Sequence, residues 1–305
     1  MRNQIDACIE AVNQVVLGKE QTVRLAMACC LARGHLLIED LPGMGKSTLS
    51  HALAQVLGLS YQRIQFTPDL LPSDILGYTE LDSATGQLVI HYGSVFSEIV
   101  LADEINRATP KTQSAVLAVI EDGQVTIDNV TQSVPEPFFV IATQSPVSQS
   151  VTSKLTESDL DRFLLRLSLG YPSTKVERQL LQGSSRKSLV ATLSPMITRA
   201  DLLAAQQQVS EVHASDAALN YILRLVEATR THAQLAFGLS PRGSMALLIA
   251  AKAWAFLENR AEVLVEDIQA VFPFVAAHRL REQNSPSGAG SAAVIKSLLA
   301  DVSPL

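Results

Sequence analysis

The chain has 305 residues, 47% of them hydrophobic and 18% charged, which supplies a real core and, at about 100–200 residues per domain, room for two domains. Its 24 Lys and Arg against 30 Asp and Glu give a net charge of −6, so overall repulsion opposes nonspecific binding to a phosphate polymer or an anionic membrane. No apolar run reaches the roughly 18 residues of a bilayer span, Asp6 and Glu10 interrupt the place of a signal peptide, and the three cysteines (Cys8, Cys29, Cys30) lack a C-x-x-C, as expected in a reducing cytoplasm.

In chain order, Ile5, Cys8, Ile9, Val12 and Val16 recur at helical spacing and predict a helix that stops before Gly18. A second helical stretch runs to Leu31. Short apolar runs then alternate with helices, and strands are expected at 36–38, 61–66, 99–102, 138–143 and 163–169. Leu49, Ala52, Leu53, Val56 and Leu57 stripe the helix between the first two. This order of elements predicts βαβ units and a mainly parallel sheet, an α/β fold. Two inserted hairpins are expected, one over 78–91 with a turn signal at Asp82-Ser83-Ala84-Thr85-Gly86, the other over 125–134 around Asp128-Asn129.

Past Tyr171-Pro172 the character changes. Pro172, Gly183-Ser184-Ser185 and Pro195 mark a connector rich in breakers. From Arg199 onward no β-alternation is visible, and an all-helical domain is expected. Leu219, Ile222, Leu223 and Val226 form one stripe after Ser215 as N-cap, residues 245–257 are apolar all round, and Ile268, Val271, Phe272 and Val275 form a helix that Pro273 bends or breaks. A flexible joint at 285–291 leads to a short amphipathic segment, 294–299. The expected division is 1–172, an α/β nucleotide-binding domain; 173–198, the connector; 199–284, a helical lid; and 285–305, a tail.

The strongest chemical signal is Leu36-Leu37-Ile38-Glu39-Asp40-Leu41-Pro42-Gly43-Met44-Gly45-Lys46-Ser47-Thr48. A strand ends, a glycine-bearing loop follows, and a helix starts at the Lys-Ser pair. Backbone N–H groups of such a loop, with the positive end of the helix dipole, bind phosphate oxygens. Lys46 is expected on the β- and γ-phosphates and the Ser47 hydroxyl on Mg²⁺. The strict G-x-x-x-x-G-K-[ST] pattern fails at Asp40, a residue that tolerates left-handed backbone angles. The second signal is Ile99-Val100-Leu101-Ala102-Asp103-Glu104, a buried strand ending in two carboxylates whose desolvation needs a task. Mg²⁺ answers Asp103, and a water to be oriented or deprotonated answers Glu104. The six histidines show no metal-ligand spacing, and Cys29-Cys30 read as small core residues.

These residues, with Asn106-Arg107-Ala108, Pro110-Lys111-Thr112-Gln113, Glu121-Asp122-Gly123, Thr143-Gln144-Ser145-Pro146, Leu160-Asp161-Arg162-Phe163 and Ser240-Pro241-Arg242, resemble the AAA+ ATPases, specifically the MoxR group. The resemblance covers nearly the whole chain apart from the last twenty or so residues. It implies a five-stranded parallel sheet with hairpin inserts and a helical lid, ATP and Mg²⁺ as ligands, and hydrolysis in a ring, a hexamer. It implies further that Ser145 stands at the first-sensor position, where the family has an amide. Arg162 resembles the finger that acts on the neighbouring subunit's ATP, Arg242 the second sensor that couples lid position to nucleotide, and Val16, Gly18 and Lys19 the segment lining the adenine end. The implied partner is a protein client, sometimes of the von Willebrand factor A type. Acidic hairpin tips (Glu80, Asp82, Asp128) argue against nucleic acid. Two alternatives stay open: a nucleotide-dependent switch or scaffold with little hydrolysis, which the shorter Ser145 would favour, and, less favoured, a DNA-directed motor.

Overall fold

The computed structural model of the protein describes residues 2–84, 86–145, 153–183, 185–283 and 292–303. Thr85, Pro146, Ser184, the expected joint at 285–291 and the last two residues lie outside the described residues. The amphipathic N-terminal stretch forms α1 (Arg2–Val15) and α2 (Glu20–Leu31). The alternating segment that follows runs β1 (Leu36–Glu39), α3 (Lys46–Leu57), β2 (Tyr61–Gln65), α4 (Pro72–Leu76), β3 (Gly77–Leu81), β4 (Leu88–Tyr92), β5 (Ile99–Asp103), α5 (Pro110–Asp122), β6 (Gln124–Ile127), β7 (Val130–Ser133), β8 (Phe139–Gln144), α6 (Glu157–Leu160) and β9 (Leu165–Leu167).

Five of these strands form one sheet in the order β2-β5-β8-β1-β9, every neighbouring pair parallel. Strand β5 is buried along its whole length and β1 and β8 nearly so, because helices cover both faces of a parallel sheet. Side-chain alternation sorts each strand between two cores: Leu36, Ile38, Ile99 and Leu101 face one, Leu37, Val100 and Ala102 the other. The fifth strand is shorter than its apolar run. Phe163 and Leu164 sit in the turn before β9, and both are buried there.

Both hairpins form as separate two-stranded antiparallel ladders, β3–β4 and β6–β7. Asp128 and Asn129 take positive φ (46° and 69°) in a two-residue turn, the geometry that matches strand twist. The Thr79 hydroxyl donates to Asp128, so the two hairpins touch.

The expected connector is not featureless. It carries α7 (Thr174–Gln182) and α8 (Arg186–Thr192), and α8 packs Val190 against the first core. The lid contains α9 (Arg199–Glu211), α10 (Asp216–Thr231), α11 (Pro241–Leu257) and α12 (Val265–Ala276). It is not purely helical, since β10 (Leu235–Phe237) pairs antiparallel with β11 (Arg281–Glu282). Both strands are too short for alternation to be legible. Ser215 caps α10 by accepting the Ala218 N–H at 3.4 Å. The buried face of α10 is Ala218, Tyr221, Ile222, Leu225 and Val226, so Leu219 and Leu223 of the expected stripe are exposed. Helix α11 is apolar on nearly all sides, with Met245 exposed near its start, and α12 runs through Pro273 unbroken. The tail helix α13 (Ala292–Asp301) buries Val294, Ile295 and Leu298 against the lid instead of trailing free. One core runs from β1 and α1–α3 into α9–α12, which fixes the lid against the sheet domain.

Candidate nucleotide site

Register places the sequence signals in one row. Glu39 of β1 pairs with Gln144 of β8, Ala102 of β5 with Ala142 of β8, and Gln65 of β2 with Asp103 of β5. The loop after β1, the acid pair after β5 and Ser145 after β8 therefore share the carboxyl end of the sheet, where open α/β sheets bind ligands.

The loop from Asp40 to Gly45 turns on two left-handed glycines, Gly43 (φ 83°) and Gly45 (φ 93°), and delivers Lys46 and Ser47 to the first turn of α3. A Cβ at Gly43 would meet open space, and Pro42 and Gly43 are exposed, so the loop is open on its outer side. Met44 packs on the core beside it. The Lys46 ammonium donates to the Asp40 and Leu41 carbonyls at 2.7 and 3.1 Å. Burial lowers its pKa, opposed by the Asp40, Asp103 and Glu104 carboxylates.

Asp40 is absent from the positive-φ residues, so tolerance of left-handed angles does not explain it. Its carboxylate is a staple. Oδ2 accepts from Leu169 N at 2.6 Å, Gly170 N at 2.8 Å and Ser168 Oγ at 3.1 Å, while Oδ1 accepts from Leu41 N at 3.0 Å. Restoring the strict motif by Asp40→Gly should harm the protein. Two buried or half-buried N–H groups past β9 lose their acceptor, at about 1–3 kcal/mol each, and thermal unfolding should show a lower midpoint together with weaker nucleotide binding.

The same 168–176 stretch reaches the expected adenine end. Lys19 Nζ donates to Tyr171 O at 3.0 Å, and a Cβ on Gly18 (φ 67°) would come within 2.8 Å of Val176 at the start of α7. Val16 is buried just ahead. The turn holding Val16 and Gly18 and the phosphate loop are thus tied to one segment.

At the acid pair, Thr143 is the hinge. Its hydroxyl donates to Asp103 Oδ1 at 2.6 Å and accepts the Glu104 N–H at 2.8 Å. Arg63 of β2 holds Asp103 Oδ2 through Nε at 3.0 Å and Nη2 at 2.5 Å. Glu104 has φ 58°, a left-handed angle that costs a non-glycine residue roughly 1–2 kcal/mol and turns its carboxylate off the strand axis. Glu104 Oε2 accepts from Arg107 at 2.7 Å and Gln65 at 3.5 Å. Ser145 Oγ is buried with no partner among the described residues.

Arg162 and Arg242 are not in this row. Arg162 precedes β9, whose residue Leu165 pairs with Leu36 at the start of β1, so it stands at the opposite end of the sheet from Lys46. Glu121 of α5 faces both: Arg162 Nε lies 3.1 Å from one of its oxygens and Arg242 Nη2 donates to the other at 2.6 Å. The roles of Arg63, Glu121 and Thr143 and the staple made by Asp40 escape sequence reasoning, although Glu121 and Thr143 lie in the motifs quoted above and Asp40 stands out as a departure from the strict loop pattern.

The residues present fit a nucleotide and Mg²⁺. The Ser145 hydroxyl is buried with no partner among the described residues, the loop is open at Gly43, and Ser47 with Asp103 offers oxygen ligands of the kind Mg²⁺ takes. No group of three His, Cys, Asp or Glu among the described residues could hold a metal, and Mg²⁺ keeps several waters and takes one or two protein oxygens beside phosphate. His35 is structural: its Nδ1 accepts the Val140 N–H at 3.0 Å, and burial pushes its pKa down to about 4.

A parallel sheet with a phosphate loop after β1, an acid pair after β5 and a helical lid defines a P-loop ATPase with an AAA-type lid. Residues 35–165 match the ATPase family associated with various cellular activities (AAA), and residues 227–298 match the AAA lid domain. The Bacillus subtilis protein YeaC is 42% identical over 96% of this chain and 92% of its own length. Chaperone MoxR1 of Mycobacterium tuberculosis is 35% identical over 90% and 75%, and Protein MoxR of Paracoccus denitrificans 32% over 88% and 86%. A crystal structure of a protein from Cytophaga hutchinsonii assigned as an ATPase superposes with a TM-score of 0.91 at 34% identity, covering 99% of this chain and 95% of that one. The chain belongs to the MoxR-type AAA+ ATPases.

Proposed function

We propose that the chain binds Mg-ATP and hydrolyses it in a closed ring of copies, a hexamer, to remodel or activate a protein client in the cytoplasm. Residues 1–172 serve as the nucleotide-binding unit and 199–284 as the lid. One observation carries the ring: Arg162 and Arg242 converge on Glu121 at the end of the sheet opposite their own phosphate loop. Two guanidiniums against one carboxylate leave a surplus positive charge, matched to a phosphate that only another copy can present. Closed homo-oligomeric symmetry is the ordinary way to repeat such a heterologous contact.

Each residue then has a task. The loop amides from Gly43 to Lys46 and the Lys46 ammonium bind the β- and γ-phosphates, helped by the α3 dipole. Ser47 and Asp103 would hold Mg²⁺, with Arg63 and Thr143 fixing the Asp103 carboxylate. The ion supplies charge neutralisation along the phosphates. Glu104 orients and deprotonates the attacking water once its contact with Arg107 opens. Ser145 donates to the γ-phosphate or that water, and Val16 with Gly18 lines the base. Arg162 and Arg242 steady the charge that develops on the neighbour's transferring phosphoryl group.

Tyr78, Leu81, Leu88, Val89 and Tyr92 expose apolar surface on the β3–β4 hairpin, while a Glu80 carboxylate oxygen lies 3.2 Å from His91 Nε2. Apolar surface beside acidic rather than basic side chains favours a protein client over nucleic acid, and a von Willebrand factor A-type partner is the class the family resemblance suggests. A second reading, a slow nucleotide switch, draws on Ser145 in place of an amide and on Arg107 restraining Glu104.

Titration of Mg-ATP into the folded chain by calorimetry tests the site. Saturable heat with the unsubstituted chain and none with Lys46→Ala is expected. Equal heat from both would remove the phosphate assignment, and binding without turnover at high protein concentration would favour the switch.

A further inference from the structure

The turn that carries Arg162 is gripped from the lid. Arg279, three residues past α12, has a side chain only 4% exposed. Its guanidinium donates through Nε to Asp161 Oδ1 at 2.7 Å, through Nη2 to Asp161 O at 3.1 Å and Phe163 O at 2.7 Å, and through Nη1 to Leu164 O at 3.1 Å and Val275 O at 2.7 Å. A guanidinium has five N–H donors in a rigid fork, and five protein oxygens meet them. Three are main-chain carbonyls on either side of Arg162, and one belongs to α12 itself. His278 adds Nε2 at 2.8 Å from Phe163 O, and Ser240 Oγ donates to Asp161 Oδ2 at 3.3 Å. An ion pair built for stability would need Asp161 alone. This fork instead ties the backbone on both flanks of Arg162 to one lid helix.

We infer that Arg279 is a positioning residue: it aims Arg162, so that lid helix α12 of one subunit sets how well that subunit serves the nucleotide of its neighbour. The inference rests on the reading that Arg162 acts on a neighbouring copy. Because packed helices move as units, a shift of α12 carries the turn with it.

The test uses the full chain, ATP and Mg²⁺. Arg279→Gln removes charge and fork, whereas Arg279→Lys keeps the charge facing Asp161 but loses the fork. Misplacing a reacting group by about 1 Å costs ~10²-fold, so turnover at saturating ATP should fall by about that factor in Arg279→Gln and by less in Arg279→Lys. ATP affinity should stay within about twofold in both, as for a contact made only in the transition state. Mixing either variant with Lys46→Ala, whose own loop is disabled but whose Arg162 turn is intact, should restore turnover. A general folding role would not produce that rescue.

Arg162→Ala mixed with Lys46→Ala is the reference. Recovery there without recovery for the Arg279 variants overturns the inference and leaves the reading of Arg162 standing. No recovery in either mixture overturns both. Should Arg279→Gln fail to fold by circular dichroism, Arg279→Lys decides: undiminished turnover alone, or a loss that Lys46→Ala does not repair, overturns the inference.

Discussion

Arg162→Ala is expected to lower ATP turnover by roughly 10³–10⁵, to abolish its rise with protein concentration, and to leave nucleotide binding intact. The sheet separates Arg162 from Lys46 by the length of β9, so truncation touches no group that binds this chain's own nucleotide. Releasing Arg162 from Glu121 for a neighbour's phosphate costs little. Glu121 is more than a third exposed, and pairs of this kind are worth about 0–1 kcal/mol. A phosphoryl group in a closed interface offers more charge at lower dielectric. Steady-state hydrolysis across a dilution series, paired with calorimetric ATP titration, reads both halves. A rate per chain that is independent of concentration in the unsubstituted protein would remove the ring from the mechanism.

Glu104→Gln should bind Mg-ATP like the unsubstituted chain and hydrolyse it about 10²–10⁴-fold more slowly, the range for losing a positioned general base. The amide keeps the size and the hydrogen bond to Gln65 but cannot take a proton. The left-handed backbone at Glu104, clamped by Thr143, is strain of the kind retained at functional sites, and it lies at the residue proposed as the base. Single-turnover hydrolysis is the measurement, and unsubstituted rates in this variant would discard the base assignment. The same trapped form in ATP offers a means of testing for the proposed client, since a complex that forms with ATP then persists.

Two carboxylates illustrate how far patterns reach. Asp103 and Glu104 were legible because an apolar strand ending in paired acids is costly without a function. The phosphate loop was legible for a similar local reason, as strand, glycines, Lys-Ser and helix are contiguous. Asp40 was visible only as a departure. Its reason, a staple to 168–170, lies 128–130 residues away along the chain, and no local propensity encodes a partner at that distance. Arg63 and Thr143 were hidden likewise, because the register of β2, β5 and β8 alone puts them against Asp103.

Amino-acid order by itself located the five strands of the main sheet, the helices between them, the glycine loop, the acid pair and the two hairpins, since each depends on residues within a few turns of one another, whereas α7, α8, β10 and β11 were not legible. Only the tertiary structure decided that Arg162 and Arg242 meet at Glu121 away from their own phosphate loop, that Arg279 grips the turn carrying Arg162, and that the tail helix docks on the lid. Those contacts join segments about 20 to 120 residues apart, and their geometry is set by sheet order and helix packing rather than by periodicity.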